Sequence, residues 1–184
     1  IFSLALFRDL SQSTLPIDLY SFTWLNLYPY NFEFGFWLDG LSLTMLLVVT
    51  GISWLVHLYS FGYMHSDPDY GRYFSYVSFF TFAMLILILG NNVLQLFFGW
   101  EGVGVASYLL IGFWQTKAYP ASASIKAFVV NRIADVGLLI AMGLILFKLG
   151  DLRYSSILTQ GNQLLTGELF GLGWVDIICL LFFV

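Results

Sequence analysis

Between residues 41 and 149 the chain repeats one pattern, about twenty apolar positions followed by a short polar break. The apolar stretches run over 41–61, 73–89, 93–114 and 127–149. A helix crosses roughly 30 Å of hydrocarbon with about 20 residues, and each stretch meets or approaches that length. None alternates strictly, and a backbone in lipid must satisfy its own hydrogen bonds. The stretches therefore predict transmembrane helices rather than strands. The breaks carry loop chemistry: 62–72 holds Asp67, Asp69, Pro68 and two glycines. Gly90-Asn91-Asn92 predicts a tight turn and hence antiparallel second and third spans. The segment 115–126 contains Pro120 and reads as a loop, with Ser122 as the cap of the fourth helix.

Outside this region the pattern weakens. Residues 9–39 and 151–171 mix polar and aromatic positions and are too interrupted to span, so both are expected at a surface. The runs at 1–7 and 174–184 are apolar but short. Each reads as part of a helix completed elsewhere, with a re-entrant end as the alternative for the second. The expected architecture is an all-α, polytopic transmembrane helix bundle belonging to a larger membrane protein. Its parts are a partial helix and surface loop (1–39), a four-span region (40–150), and a surface segment leading into a further helix (151–184).

Composition supports the membrane reading. Of 184 residues, 59% are hydrophobic and 10% charged, against about 45–50% and about 25% in soluble domains. Nineteen Phe, eleven Tyr and six Trp suit rings that anchor at headgroup level. The formal charge of −4 comes without a basic patch, which argues against nucleic-acid binding. Cys179 is single and offers neither a disulfide nor a metal cluster. The apolar run precedes Arg8, the reverse of a signal peptide. Lysines and arginines divide evenly between the two sides, so they set no orientation.

Three charges stand deep inside the predicted spans: Glu101 in the third, Arg132 and Asp135 in the fourth, whose far end also carries Lys148. A charge at that depth costs about 2.5–3.5 kcal/mol on insertion scales and marks a functional site by default. Arg132 and Asp135 are spaced i, i+3 and share a helix face. Glu101 has no basic residue within a turn, so its partner must come from another helix, Arg132 being one choice. If the third and fourth spans pack together, a ladder descends from Lys126 at the mouth. At 1.5 Å per residue, Arg132 lies roughly 8 Å, Asp135 roughly 12 Å and Glu101 roughly 20 Å from that side. Such a ladder suits proton transfer. The simpler readings are an ion pair that only fastens helices, and a Glu101 that stays protonated in an interhelical hydrogen bond. Gly99, Gly102, Gly104, Ala106 and Ser107 allow close helix approach around the acid. His57 suits a proton relay, or merely an interfacial hydrogen bond. His65 beside Asp67 and Asp69 reads as solvated loop rather than metal site. No cofactor cradle or nucleophile–base pair is visible, so redox chemistry is not expected on this chain.

Asp39-Gly40-Leu41-Ser42 and His57-Leu58-Tyr59-Ser60-Phe61-Gly62-Tyr63-Met64 resemble the antiporter-like subunits of respiratory NADH:ubiquinone oxidoreductase, complex I. Gly99-Trp100-Glu101-Gly102-Val103-Gly104 is similar to the signature of the largest of them, chain 5. So is Lys126-Ala127-Phe128-Val129-Val130-Asn131-Arg132, followed by Asp135. The resemblance covers about 37–150. It implies a fold of two inverted repeats and proton translocation driven by electron transfer elsewhere in the complex. NADH, FMN, iron–sulfur clusters and ubiquinone would be held by other subunits. It also implies that Glu101 partners a buried lysine on a later helix, and that Lys126, Arg132 and Asp135 line a hydrated path. The 115–126 segment would then face the matrix of a mitochondrion, or less favourably the interior of a bacterium. The lysine-bearing part would come from a second polypeptide, and the remaining partners would be membrane subunits and lipid. A multisubunit cation/proton antiporter, sharing the same ancestry, is the nearest alternative, and a purely structural scaffold the next.

Overall fold

A computed structural model describes residues 3–5, 8, 16–28, 30–114, 118–165, 167–169 and 171–183. Four long apolar helices dominate it: α1 (Gly40–Tyr63), α2 (Tyr70–Leu89), α3 (Val93–Ile111) and α4 (Ala118–Leu149). All four are long and apolar enough to cross a membrane. They run up and down in turn. Asp39 starts α1 with a capping box, accepting from the Ser42 N–H at 2.7 Å while its own N–H donates to Ser42 Oγ at 2.8 Å. Asn92 caps α3 by accepting from the Gln95 N–H at 2.8 Å.

Two expectations change at the helix ends. The fourth helix begins at Ala118, not after residue 126, so the expected loop is mostly helix. Pro120 falls in its first turn, where a missing N–H breaks no intrahelical bond. Ser122 is therefore no cap; its hydroxyl donates to the Tyr119 carbonyl at 3.0 Å within the helix. The third helix stops at Ile111, and Gly112 closes it against Ser124 of α4.

Residues before α1 form a β-hairpin that the polarity pattern did not foresee. Strands β1 (Ile17–Leu27) and β2 (Tyr30–Leu38) pair antiparallel from Ile17–Leu38 to Leu27–Tyr30, with two register shifts in β1. Aromatic residues favour a pleated surface, and Phe22 stacks on Phe34 across the strands at 5.5 Å. The hairpin caps one end of the bundle. Its Phe36 makes an isolated bridge to Gly90, and Asn92 makes another to Arg153 beyond α4. Around these bridges lies a polar clasp. Asn91 donates to Asp18 at 3.0 Å, Asn92 to the Glu33 carbonyl at 2.8 Å, and the Gly35 N–H to Gln95 Oε1 at 3.1 Å. Val93 N–H reaches the Leu152 carbonyl and Tyr154 N–H the Asn91 carbonyl, both at 3.0 Å. Glycine is required at 35, since a Cβ there would meet the Leu19 carbonyl at 2.6 Å.

After α4 come a short helix α5 (Tyr154–Gln160), a 3-10 turn (Gly161–Gln163), strands β3 (Glu168–Leu169) and β4 (Leu172–Gly173), and helix α6 (Trp174–Phe183). Ile178 of α6 joins Ala141 and Ile145 of α4, with Val93, Leu152 and Leu164, in one buried cluster. Helices α2 and α3 approach most closely. A Cβ on Gly99 would lie 2.5 Å from the Leu87 backbone, and one on Gly102 2.9 Å from the Ala83 methyl. Of the small residues singled out in sequence, Gly99 and Gly102 thus form the contact with α2.

Candidate functional site

Helices α3 and α4 bring Glu101, Arg132 and Asp135 together. The Arg132 Nη1 group pairs with Glu101 Oε2 across the helix interface, and Arg132 Nε stands 3.5 Å from Asp135 Oδ2 on the same helix. The expected descent from Arg132 to Glu101 is replaced by a lateral contact. With α4 starting at Ala118, Arg132 lies about 21 Å into its helix, and Glu101 lies about 15 Å from the end of α3. The extra turns of α4 sink its charges to the level of the acid.

Asp135 is the deepest of the three, 4% exposed. Its Oδ1 accepts the indole N–H of Trp100 at 2.8 Å, a partner from the neighbouring helix. Trp100 escaped the sequence reading because an aromatic ring in a span passes for packing. The signal was its place beside Glu101, with an acid on the next helix. The Arg132 guanidinium also lies over the Phe128 ring, 4.7 Å from its centre, a cation–π contact that helps hold a charge away from water. Gly104 of α3 faces the guanidinium: a Cβ there would sit in ordinary contact, 3.8 Å from Arg132 Nη2. Two carboxylates share one guanidinium, so full ionisation leaves a net negative charge inside the span. That imbalance is what a proton or a second cation would relieve.

The other two candidates lie apart. Lys126 is exposed, and six residues before Arg132 it faces another side of α4; no ion pair joins it to a described residue. His57 sits at the interface of α1 and α2. Its Nδ1 lies 2.7 Å from the Ser53 carbonyl and its Nε2 3.3 Å from Ser78 Oγ. A carbonyl can only accept, so Nδ1 carries the hydrogen and Nε2 is the basic atom. Ser53 Oγ in turn meets Thr81 Oγ1 at 2.7 Å. These two hydroxyls border an apolar hollow of about 530 Å³ between α1 and α2, which touches none of the three charges. In the 64–69 turn, Asp69 pairs with Arg72 at 2.8 Å and Asp67 accepts from Trp114 at 3.2 Å. Among the described residues no three His, Cys, Asp or Glu side chains gather as a metal-binding group.

Residues 24–74 match the family model described as NADH-Ubiquinone oxidoreductase (complex I), chain 5 N-terminus. Residues 90–183, just over half of the chain, match that of NADH:quinone oxidoreductase/Mrp antiporter, TM. The chain belongs to this antiporter-like family. Among curated relatives, NADH-quinone oxidoreductase subunit L of Neisseria meningitidis serogroup A is 44% identical over 182 residues, 95% of this chain and 27% of the relative. NADH-ubiquinone oxidoreductase chain 5 of Podospora anserina is 46% identical over 157 residues, 85% and 24%. Chain 5 of Chondrus crispus is 40% identical over 188 residues, 100% and 28%. The chain thus spans about a quarter of the length of the relatives it matches. A solved structure of the membrane-bound sulfane sulfur reductase, an archaeal respiratory membrane complex, aligns with a TM-score of 0.77. It covers 98% of this chain and 34% of its own, at 18% identity, a likeness of fold alone. Family membership and four apolar spans make this an integral membrane protein. Both charged helices, with Glu101, Arg132 and Asp135, fall inside the antiporter-family match.

Proposed function

We propose that this chain is part of a proton-translocating membrane subunit of a respiratory NADH:quinone oxidoreductase. One observation carries the reading: Glu101 of α3 pairs across the helix interface with Arg132 of α4, which Asp135 also claims. A pair used only for fastening helices would need one acid. The second makes the site hungry for a proton, and a cation approaching or leaving decides whether Glu101 keeps it. Glu101 is the proton carrier, Arg132 the local counter-charge, and Asp135 the fixed negative neighbour. Lys126, nearer the start of α4, belongs to the approach from that side, and His57 to a separate station between α1 and α2.

The electron-transfer groups, NADH, FMN, iron–sulfur clusters and ubiquinone, reside on other subunits, and the partners of this chain are membrane subunits and lipid. The remainder of the same antiporter-like unit would supply the second cation. The setting is the mitochondrial inner membrane. An antiporter exchanging sodium for protons is the second reading, favoured by the description of the 90–183 match, which names both classes. The chain 5 match over 24–74 and the names of the relatives favour the first.

Glu101→Gln in the assembled complex tests it. NADH-driven proton uptake into vesicles should fall on the order of 10²-fold, the scale of a lost acid–base group, while the complex still assembles. Uptake at the native rate would refute the assignment. Sodium-driven proton exchange without NADH-linked uptake would establish the antiporter instead.

A further inference from the structure

We propose that Trp100 is a positioning residue that decides which of the two carboxylates carries the proton. This rests on the proton-transfer reading above and adds the group that directs it. With one guanidinium for two acids, one carboxyl holds a proton whenever no further cation is near. The acids differ in what faces them. Asp135 Oδ1 accepts the Trp100 indole N–H at 2.8 Å, and its Oδ2 stands 3.5 Å from Arg132 Nε. Glu101 faces Arg132 Nη1 and has no fixed neutral donor of that kind among the described residues.

An indole N–H donates and cannot accept. It meets an ionised oxygen well, and it offers nothing to a carboxylic O–H. A hydrogen bond donated to a carboxylate is stronger than one donated to the neutral acid, and it is this donor that assigns the proton to Glu101. Among the described residues no charged side chain other than Arg132 forms an ion pair with either acid, and the α2 and α6 residues that line the hollow beside Trp100 are apolar: Leu87, Leu181, Phe182 and Phe183. The indole ring also has an apolar border. It borders a hollow of about 330 Å³ with Leu96, Ala134, Leu138 and Leu181. Phenylalanine at 100 keeps that apolar contact and removes only the donor.

The experiment uses the full-length protein in its assembled complex and follows the C=O stretch of a protonated carboxyl by difference infrared spectroscopy. In the native protein the band should shift in frequency with Glu101→Asp, which keeps two acids on the one guanidinium, and stay in place with Asp135→Glu. In Trp100→Phe a band that Asp135→Glu shifts should emerge, the proton's distribution between the acids moving roughly ten- to hundred-fold, as for one charge-assisted hydrogen bond. The pH profile of proton uptake should move with it. In an Asp135→Asn background, Trp100→Phe should have no further effect. A native band belonging to Asp135 would overturn the proposal. So would a Trp100→Phe protein with unchanged band and pH profile, or an effect that persists in full without the Asp135 carboxylate. Normal uptake by Glu101→Gln would instead defeat the proton-transfer reading beneath it, so the two failures are distinguishable.

Discussion

Replacing Gly99 by alanine adds one methyl group where helices α2 and α3 touch. The new Cβ would lie 2.5 Å from both the N and Cα atoms of Leu87, whereas ordinary contact begins at 3.4 Å. The obstacle is backbone, so no rotamer change relieves it, and the helices must separate by about 1 Å along a contact that Gly102 and Ala83 continue one turn away. Overpacking of this kind costs about 1–3 kcal/mol, a factor of about 5 to 150 in the folded population. Gly51 and Gly143 are the controls, both helical, with nothing within 4 Å of a built Cβ. Alanine there should be neutral or stabilise by about 0.4–1 kcal/mol, through lost freedom of the unfolded chain. Unfolding of the purified protein in lipid nanodiscs, by heat or denaturant, orders the three variants. Because Glu101 lies two residues on, proton uptake should fall with stability in Gly99→Ala alone. A Gly99→Ala protein as stable as Gly143→Ala would refute the close-packing argument.

The clasp at the bundle end should depend on pH at both extremes. Burial opposes ionisation of Asp151, but hydrogen bonds from Ser156 and Arg153 outweigh it and hold the carboxyl below its ordinary range. Its contribution is therefore present above about pH 4 and lost as the solution is acidified through the lowered value. Asp151→Asn should flatten that acid limb in a stability-versus-pH series. Burial pushes the Tyr154 hydroxyl up to about 12, so stability present below about pH 10 should decline between there and pH 12, and Tyr154→Phe should remove that alkaline limb. Asn92→Ala deletes the α3 cap and the bond to the Glu33 carbonyl. A loss of about 1–3 kcal/mol is expected in unfolding measurements, the range for a cap plus one buried hydrogen bond; an unchanged midpoint would show the clasp to be idle.

The four spans were legible because lipid imposes length and apolarity residue by residue, and no partner is needed to read them. The hairpin was not. The Gly35 N–H, the Glu33 carbonyl and Asp18 find their partners at 91–95, about sixty residues away or more, beyond any local pattern. The early start of α4 was hidden by Pro120, which suggests a break in general and costs nothing in a first turn. At the site, the need of Glu101 for a cation from another helix was readable from its isolation, and Arg132 meets it. Depth was misjudged because it was counted from the wrong helix start. Trp100 had no polar pattern to betray it, since a single N–H on a large ring becomes informative only once Asp135 is opposite.

The clasp has a consequence for biogenesis. The turn at 90–92 leaves the ribosome about sixty residues before Leu152, Arg153 and Tyr154, which complete its backbone bonds. Until they arrive, the Asn91 carbonyl and the Val93 N–H must stay hydrated at the membrane face, however early α2 and α3 insert. Closure therefore waits for residue 154, and a nascent chain arrested before it should still expose that turn to a soluble amide-specific or proteolytic probe.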